Sequence, residues 1–196
     1  MNSFHFDRFK EVFIKEIKSV FPQFIDKYKD KKPYIFTIRV PDYIAINHPK
    51  SYCISFDGNT TDEFEAEGYC YTTTDSEELY YKYCSEEWND HSISENDFPD
   101  CNKIILEYII EYENENVNSD QEYNYSDEFL QFREDFFDTL IKSIEQLRAE
   151  GFFKSVYHEH ILINFEVREY YKEAEMLEIF KRLNAKEDLC LYAKWL

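Results

Sequence analysis

The stretch from Tyr71 to Asp90, YTTTDSEELYYKYCSEEWND, gathers six carboxylates, four tyrosines, a tryptophan and a single lysine. Carboxylates in such density can exchange protons with a substrate or bind a divalent cation, provided they are held together away from water. In a chain with 41 acidic residues, pairs at helical spacing arise from composition alone, and most are solvated. A second chemical pattern is His158-Glu159-His160, where a strand would set both imidazoles on one face as potential metal ligands. It lacks the HExxH spacing and a third ligand, so it reads as the polar entry to a strand. The cysteines (Cys53, Cys70, Cys84, Cys101, Cys190) are odd in number and form no CxxC pair. They read as free thiols of a reducing compartment, with Cys53, Cys70 and Cys190 buried in apolar or strand-like runs.

Phosphate-binding loops need glycines so that backbone N–H groups can reach the ligand, yet the chain holds only Gly58, Gly68 and Gly151. None lies in a GxGxxG or GxxxxGK[ST] frame, and no GxSxG elbow is present. No catalytic residue, metal ligand or cofactor is therefore assigned. Trp88 stands among Glu86, Glu87, Asn89 and Asp90. A ring so placed either caps the core at a helix end, the commoner arrangement, or anchors an interface. With Glu95 and Asp97, this segment supplies the candidate partner-binding residues: Glu86, Glu87, Trp88, Asp90, Glu95 and Asp97.

The elements that must position them follow from hydrophobic period. Phe6, Phe9, Phe13, Ile17 and Val20 recur at helical spacing and predict a helix that ends before Pro22. YIFTIRV alternates, with Tyr34, Phe36, Ile38 and Val40 on one face and Thr37 and Arg39 on the other. SYCISFDGN predicts a strand running into a turn at Asp57-Gly58-Asn59, and GYCYTTT a third strand. At Ser76 the period becomes helical, with Thr74 or Asp75 as N-cap and Leu79 and Tyr83 inward. A helix after Pro99 presents Ile105, Tyr108, Ile109 and Tyr112, and an acidic, aperiodic mobile loop is expected near 113–127. Asp127–Arg148 is the longest predicted helix, stopped at Gly151. ILINFEVREY then alternates as a late strand, and a last helix holds Met176, Leu177, Phe180 and Leu183. Strands in consecutive runs with one late strand imply a single α+β domain over 1–196, a small mixed or antiparallel sheet of four to five strands covered by helices.

Charge is distributed unevenly. Residues 1–56 carry +4, residues 57–100 carry −13 with Lys82 as their only base, and 101–150 carry −9, against −19 for the whole chain. A field of that sign repels nucleic acid and anionic membranes and attracts a basic protein. No run reaches the length and apolarity of a membrane span, and no secretory leader is visible, so a cytoplasmic location is expected.

The passage Cys70–Trp88 resembles DUF4303, a bacterial family of unknown function. The resemblance is carried by a small-polar turn (Thr73-Thr74-Asp75-Ser76-Glu77-Glu78) and an aromatic-to-Glu-Trp element (Tyr83-Cys84-Ser85-Glu86-Glu87-Trp88). AEGFF at Ala149–Phe153 and KRLN at Lys181–Asn184 are similar as well. The chain departs from the pattern where Cys84-Ser85 replaces a proline and where the late strand ends in Arg168-Glu169. The resemblance implies a compact α+β domain without established catalytic residues, and some members look like the immunity proteins that accompany bacterial toxins. Together with the charge, this leads to an expected function: a non-catalytic acidic binding protein, of immunity or antitoxin type, that neutralises a basic, nuclease-like toxin. The alternative is a metal-dependent or acid–base enzyme using carboxylates of the 75–100 segment.

Overall fold

A computed structural model describes residues 4–40, 54–89, 91–93, 96–116, 126–167 and 170–196. Helix α1 (Phe6–Tyr28) passes straight through Pro22 instead of ending before it. A proline inside a helix costs about 3 kcal/mol. Phe24, Ile25 and Tyr28 beyond it are all buried on the stripe begun by Phe9, Phe13 and Ile17. At roughly 1.5–3 kcal/mol for each large apolar side chain removed from water, those three residues outweigh the proline.

Strand β1 (Pro33–Val40) is the centre of a three-stranded sheet, ordered β2-β1-β3. Strand β2 (Ser55–Thr60) pairs with it antiparallel, and β3 (Leu162–Val167) pairs parallel. Among the described residues the sheet is thus mixed, with three strands where four to five are expected. Asp57-Gly58-Asn59 is extended β2 backbone, not a turn. Glycine is needed there because a Cβ would lie 2.5 Å from the Phe24 ring, so α1 rests directly on the strand. The expected GYCYTTT strand is also absent: Gly68 takes a positive φ, and the Thr73 amide donates to the Cys70 carbonyl at 2.8 Å, closing a turn. That turn leaves Cys70 exposed; Cys190 is exposed too, and Cys53 lies outside the described residues.

Short helix α2 (Thr61–Ala66) follows β2, and α3 (Ser76–Tyr83) ends in a 3-10 turn at Ser85–Glu87. Helix α4 (Pro99–Asn116) runs past the expected loop start at 113; residues 117–125 lie outside the described residues. Helix α5 (Asp127–Ala149) buries Phe129, Phe136, Leu140, Ile144 and Leu147 as its period predicts. Then come α6 (Phe152–Val156), β3, α7 (Glu173–Leu183) and α8 (Leu189–Trp195).

The two faces of the sheet differ in chemistry. On one, Phe36, Ile38, Phe56, Ile163 and Phe165 meet α1 and α5 in the main core. On the other, the register sets three successive rungs: Asn59–Ile35–Leu162, Asp57–Thr37–Asn164 and Ser55–Arg39–Glu166. The apolar rung joins a second core with Tyr34, Phe64, Leu79, Tyr83, Phe180 and Tyr192. The polar rungs are buried with it, Thr37, Asp57, Asn59 and Asn164 included.

Candidate functional site

Helix α3 begins where Asp75 accepts hydrogen bonds from the amides of Glu77 (3.0 Å) and Glu78 (3.3 Å), an N-cap that also sets acids at the positive end of the helix. Glu78 turns back to accept from the Cys70 amide at 3.4 Å. Leu79 and Tyr83 face the second core, as the helical period requires. Lys82, the one lysine or arginine among residues 57–100, points inward with them and is 4 % exposed. Its Nζ donates to the Tyr71 carbonyl at 2.6 Å and sits 3.9 Å from the Tyr71 ring centre. Burial pushes its pKa down to about 8. The acids outside consequently lose the base nearest to them in sequence.

What α2, α3 and the following turn present to solvent is a run of rings framed by carboxylates. Tyr69 stacks on Tyr81 at 4.8 Å, and Tyr80 meets Tyr81 edge-on at 5.3 Å. The Trp88 indole N–H donates to the Tyr81 carbonyl at 2.9 Å, and its half-buried ring packs against the second core. Trp88 therefore caps the core while leaving an edge in solvent. Tyr80, 41 % exposed, donates its hydroxyl to Glu87 at 3.1 Å. Partial burial, then Tyr81, Glu67 and Glu77, raise the pKa of Tyr69. Glu86 and Glu87 lie exposed on the turn.

Of the residues expected from sequence, Glu86, Glu87 and Trp88 are together here. Asp97 is not among them: it accepts from the Ile93 amide at 3.2 Å and so shapes the approach to α4. Asp90 and Glu95 lie outside the described residues. Sequence reasoning missed the stacking tyrosines, although Tyr69, Tyr80 and Tyr81 flank the same turn.

It also missed what holds the turn in place. The Ser85 hydroxyl donates to Glu166 of β3, whose other oxygen accepts from the Asn164 amide at 3.3 Å. Burial raises the Glu166 pKa to about 7, against the opposing pull of Ser85 and Arg39. Arg39 pairs with Asp57 at 3.4 Å. Beyond Asp57, buried His91 stands between two carboxylates, its Nδ1 3.4 Å from Asp57 and its Nε2 2.5 Å from Glu63. Burial lowers the imidazole pKa, but the two carboxylates outweigh it and hold the group above its ordinary value. Lys31 closes the row on Glu63 at 2.9 Å. The row alternates in sign, so its charges satisfy one another. A signal existed in the two-residue period that sets Thr37 and Arg39 opposite Phe36 and Ile38; reading Asp57-Gly58-Asn59 as a turn concealed the matching residues of β2.

The HxH pair shares no ligand geometry: His158 meets the Lys154 carbonyl at 3.2 Å, while His160 meets Asp188 at 2.9 Å. Both precede β3, so the alternation that would align them never starts. Among the described residues, no group of three or more His, Cys, Asp or Glu is placed to hold a metal ion, and no helix is long and apolar enough to cross a membrane.

The architecture defines a mostly helical α+β protein with a three-stranded mixed sheet, carrying an aromatic, acid-framed surface on the α2–α3 side. The chain belongs to DUF4303, a domain of unknown function, whose family pattern matches residues 14–185. Neither a curated protein nor a solved structure matches it.

Proposed function

We propose that this chain is a non-catalytic binding protein whose α2–α3 surface covers a basic patch on a protein partner, in the manner of an immunity protein neutralising a nuclease-like toxin. The observation that carries this reading is the joined set Tyr69, Tyr80, Tyr81 and Trp88, with Glu67, Glu77, Glu86 and Glu87 exposed on the same elements. Tyrosine and tryptophan supply large contact area at low entropic cost and dominate binding energy at interfaces. Carboxylates around them steer a cationic partner and speed encounter. A nuclease must be cationic where it holds phosphate, so a surface of this composition suits its active-site mouth. The inward turn of Lys82 favours the same reading, because it withdraws the local base from the surface.

The test is co-expression with a toxin-like protein encoded beside this chain, scored by cell survival and co-purification. Rescue by the native chain, lost in Trp88→Ala and in the double variant Glu86→Lys/Glu87→Lys, the latter at a native melting temperature, is the expected result. Rescue that survives all three substitutions would sink the assignment of this surface. Four of the seven described carboxylates of the 75–100 segment on which an enzyme reading would draw are engaged locally: Asp75 caps α3, Glu78 accepts from Cys70, Glu87 from Tyr80 and Asp97 from Ile93.

A further inference from the structure

Where α5 ends at the left-handed Gly151 and the chain passes through α6 toward β3, it encloses an open cavity of about 400 Å³. That volume falls within the range of small-molecule sites. Its apolar lining comes from Phe153, Ile161, Ile163 and Leu183. Two permanent cations, Arg148 and Lys154, line it as well, in a chain of net charge −19. Arg148 donates one Nη1 hydrogen bond to the Arg182 carbonyl at 3.2 Å, and its remaining N–H groups have no partner among the described residues. Lys154 Nζ and the Tyr157 hydroxyl have none there either. Of the two carboxylates in the lining, Asp188 is already engaged by His160 at 2.9 Å and by the Ala185 amide at 3.2 Å. Glu159 makes no ion pair among the described residues.

We propose that this cavity binds a small amphipathic anion, its acidic head held by Arg148 and Lys154 and its apolar body laid on Ile161, Ile163 and Leu183. An apolar floor with a few convergent, unspent donors is the general build of a ligand site. Charge-assisted bonds from a guanidinium and an ammonium recognise a carboxylate or a phosphate alike. A cation would meet two fixed positive charges and only one unengaged acid. The cavity shares no lining residue with the α2–α3 surface, so its occupancy is tested apart from the protein partner.

Calorimetric titration of the full chain tests the assignment, with phenylbutyrate and octanoate as probes, the matching amines as controls, and inorganic phosphate as a head group without a body. Saturable one-site binding of a carboxylate, with a Kd of about 1 mM or tighter, is expected, with no binding of the amines and weaker binding of phosphate. Exposed Lys154→Gln should weaken the carboxylate about tenfold, and Glu159→Gln should tighten it, both at unchanged melting temperature. Arg148→Gln should weaken it also, with the melting temperature reporting any loss of the Arg182 contact. Absence of saturation by either carboxylate overturns the proposal, as does equal binding of the amines. Affinity unchanged in both Lys154→Gln and Arg148→Gln overturns the head-group assignment, and phosphate binding as tightly as phenylbutyrate overturns the amphipathic one.

Discussion

Ser85, on the turn after α3, donates its hydroxyl to Glu166 on β3, and this bond ties the acid-bearing turn to the sheet. Glu166 has a folded pKa of about 7, above the ordinary value of 4.5. Between those values the native protein holds a proton that the unfolded chain has released, so this group removes stability as pH rises from 4.5 to about 7. With the residue partly accessible, the effect is about 2 kcal/mol. Urea unfolding of Glu166→Gln across that window should give a flatter dependence than wild type; an unchanged slope would show that Glu166 ionises normally.

Lys82 predicts a slope of the opposite sign. Its folded pKa of about 8 lies below the ordinary 10.5. From about pH 8 to 10.5 the unfolded chain holds the extra proton, and stability attributable to this group rises with pH. Lys82→Met removes the buried charge but strands the Tyr71 carbonyl, for a net gain of about 1–2 kcal/mol at pH 7 that shrinks toward pH 10.5. A Met variant less stable than wild type at pH 7 would contradict this account.

His91 supplies the positive charge that lets buried Asp57 and half-buried Glu63 approach the same ring. His91→Phe should cost about 3 kcal/mol in chemical denaturation, because two carboxylates are left facing an apolar ring. Adding Glu63→Gln should recover part of the loss, a non-additivity expected of groups in one network. The His91 contribution is complete below the ordinary pKa of 6.5 and fades as pH climbs through the raised folded value.

Gly58→Ala would press a methyl into the Phe24 ring at 2.5 Å and against the Ile35 carbonyl at 3.0 Å. A loss of about 1–3 kcal/mol is expected, with partial recovery in the double variant carrying Phe24→Leu. Equal losses in the single and double variants would place the strain elsewhere.

The long periodic helices could be read from the sequence. The burial of Phe129, Phe136 and Leu140 on α5, and of Leu79 and Tyr83 on α3, follows from spacing alone. Errors came where tertiary contact overruled a local signal. Pro22 announced an end that the burial of Phe24 and Ile25 overcame, and Gly58 announced a turn although its role is to admit the Phe24 ring. Tyr69, Tyr71 and Thr73 alternate like a strand, but no described edge receives them, and both tyrosine rings pack on the second core instead. Of the candidate site, the contiguous part, Glu86 to Trp88, was legible. The Ser85–Glu166 bond and the Arg39–Asp57–His91 row were not, because they join residues far apart in sequence.

Strand β1 pairs on one side with β2, close behind it, and on the other with β3, most of the chain later: Ile35 waits for Leu162. During synthesis one edge of β1, with its unpaired N–H and C=O groups, stays open until Leu162–Val167 has been made. Pairings of such long separation form slowly, and an open edge invites the wrong neighbour. Ribosome-bound chains that stop short of residue 162 should therefore be aggregation-prone and protease-sensitive, and should lose both properties once β3 has emerged.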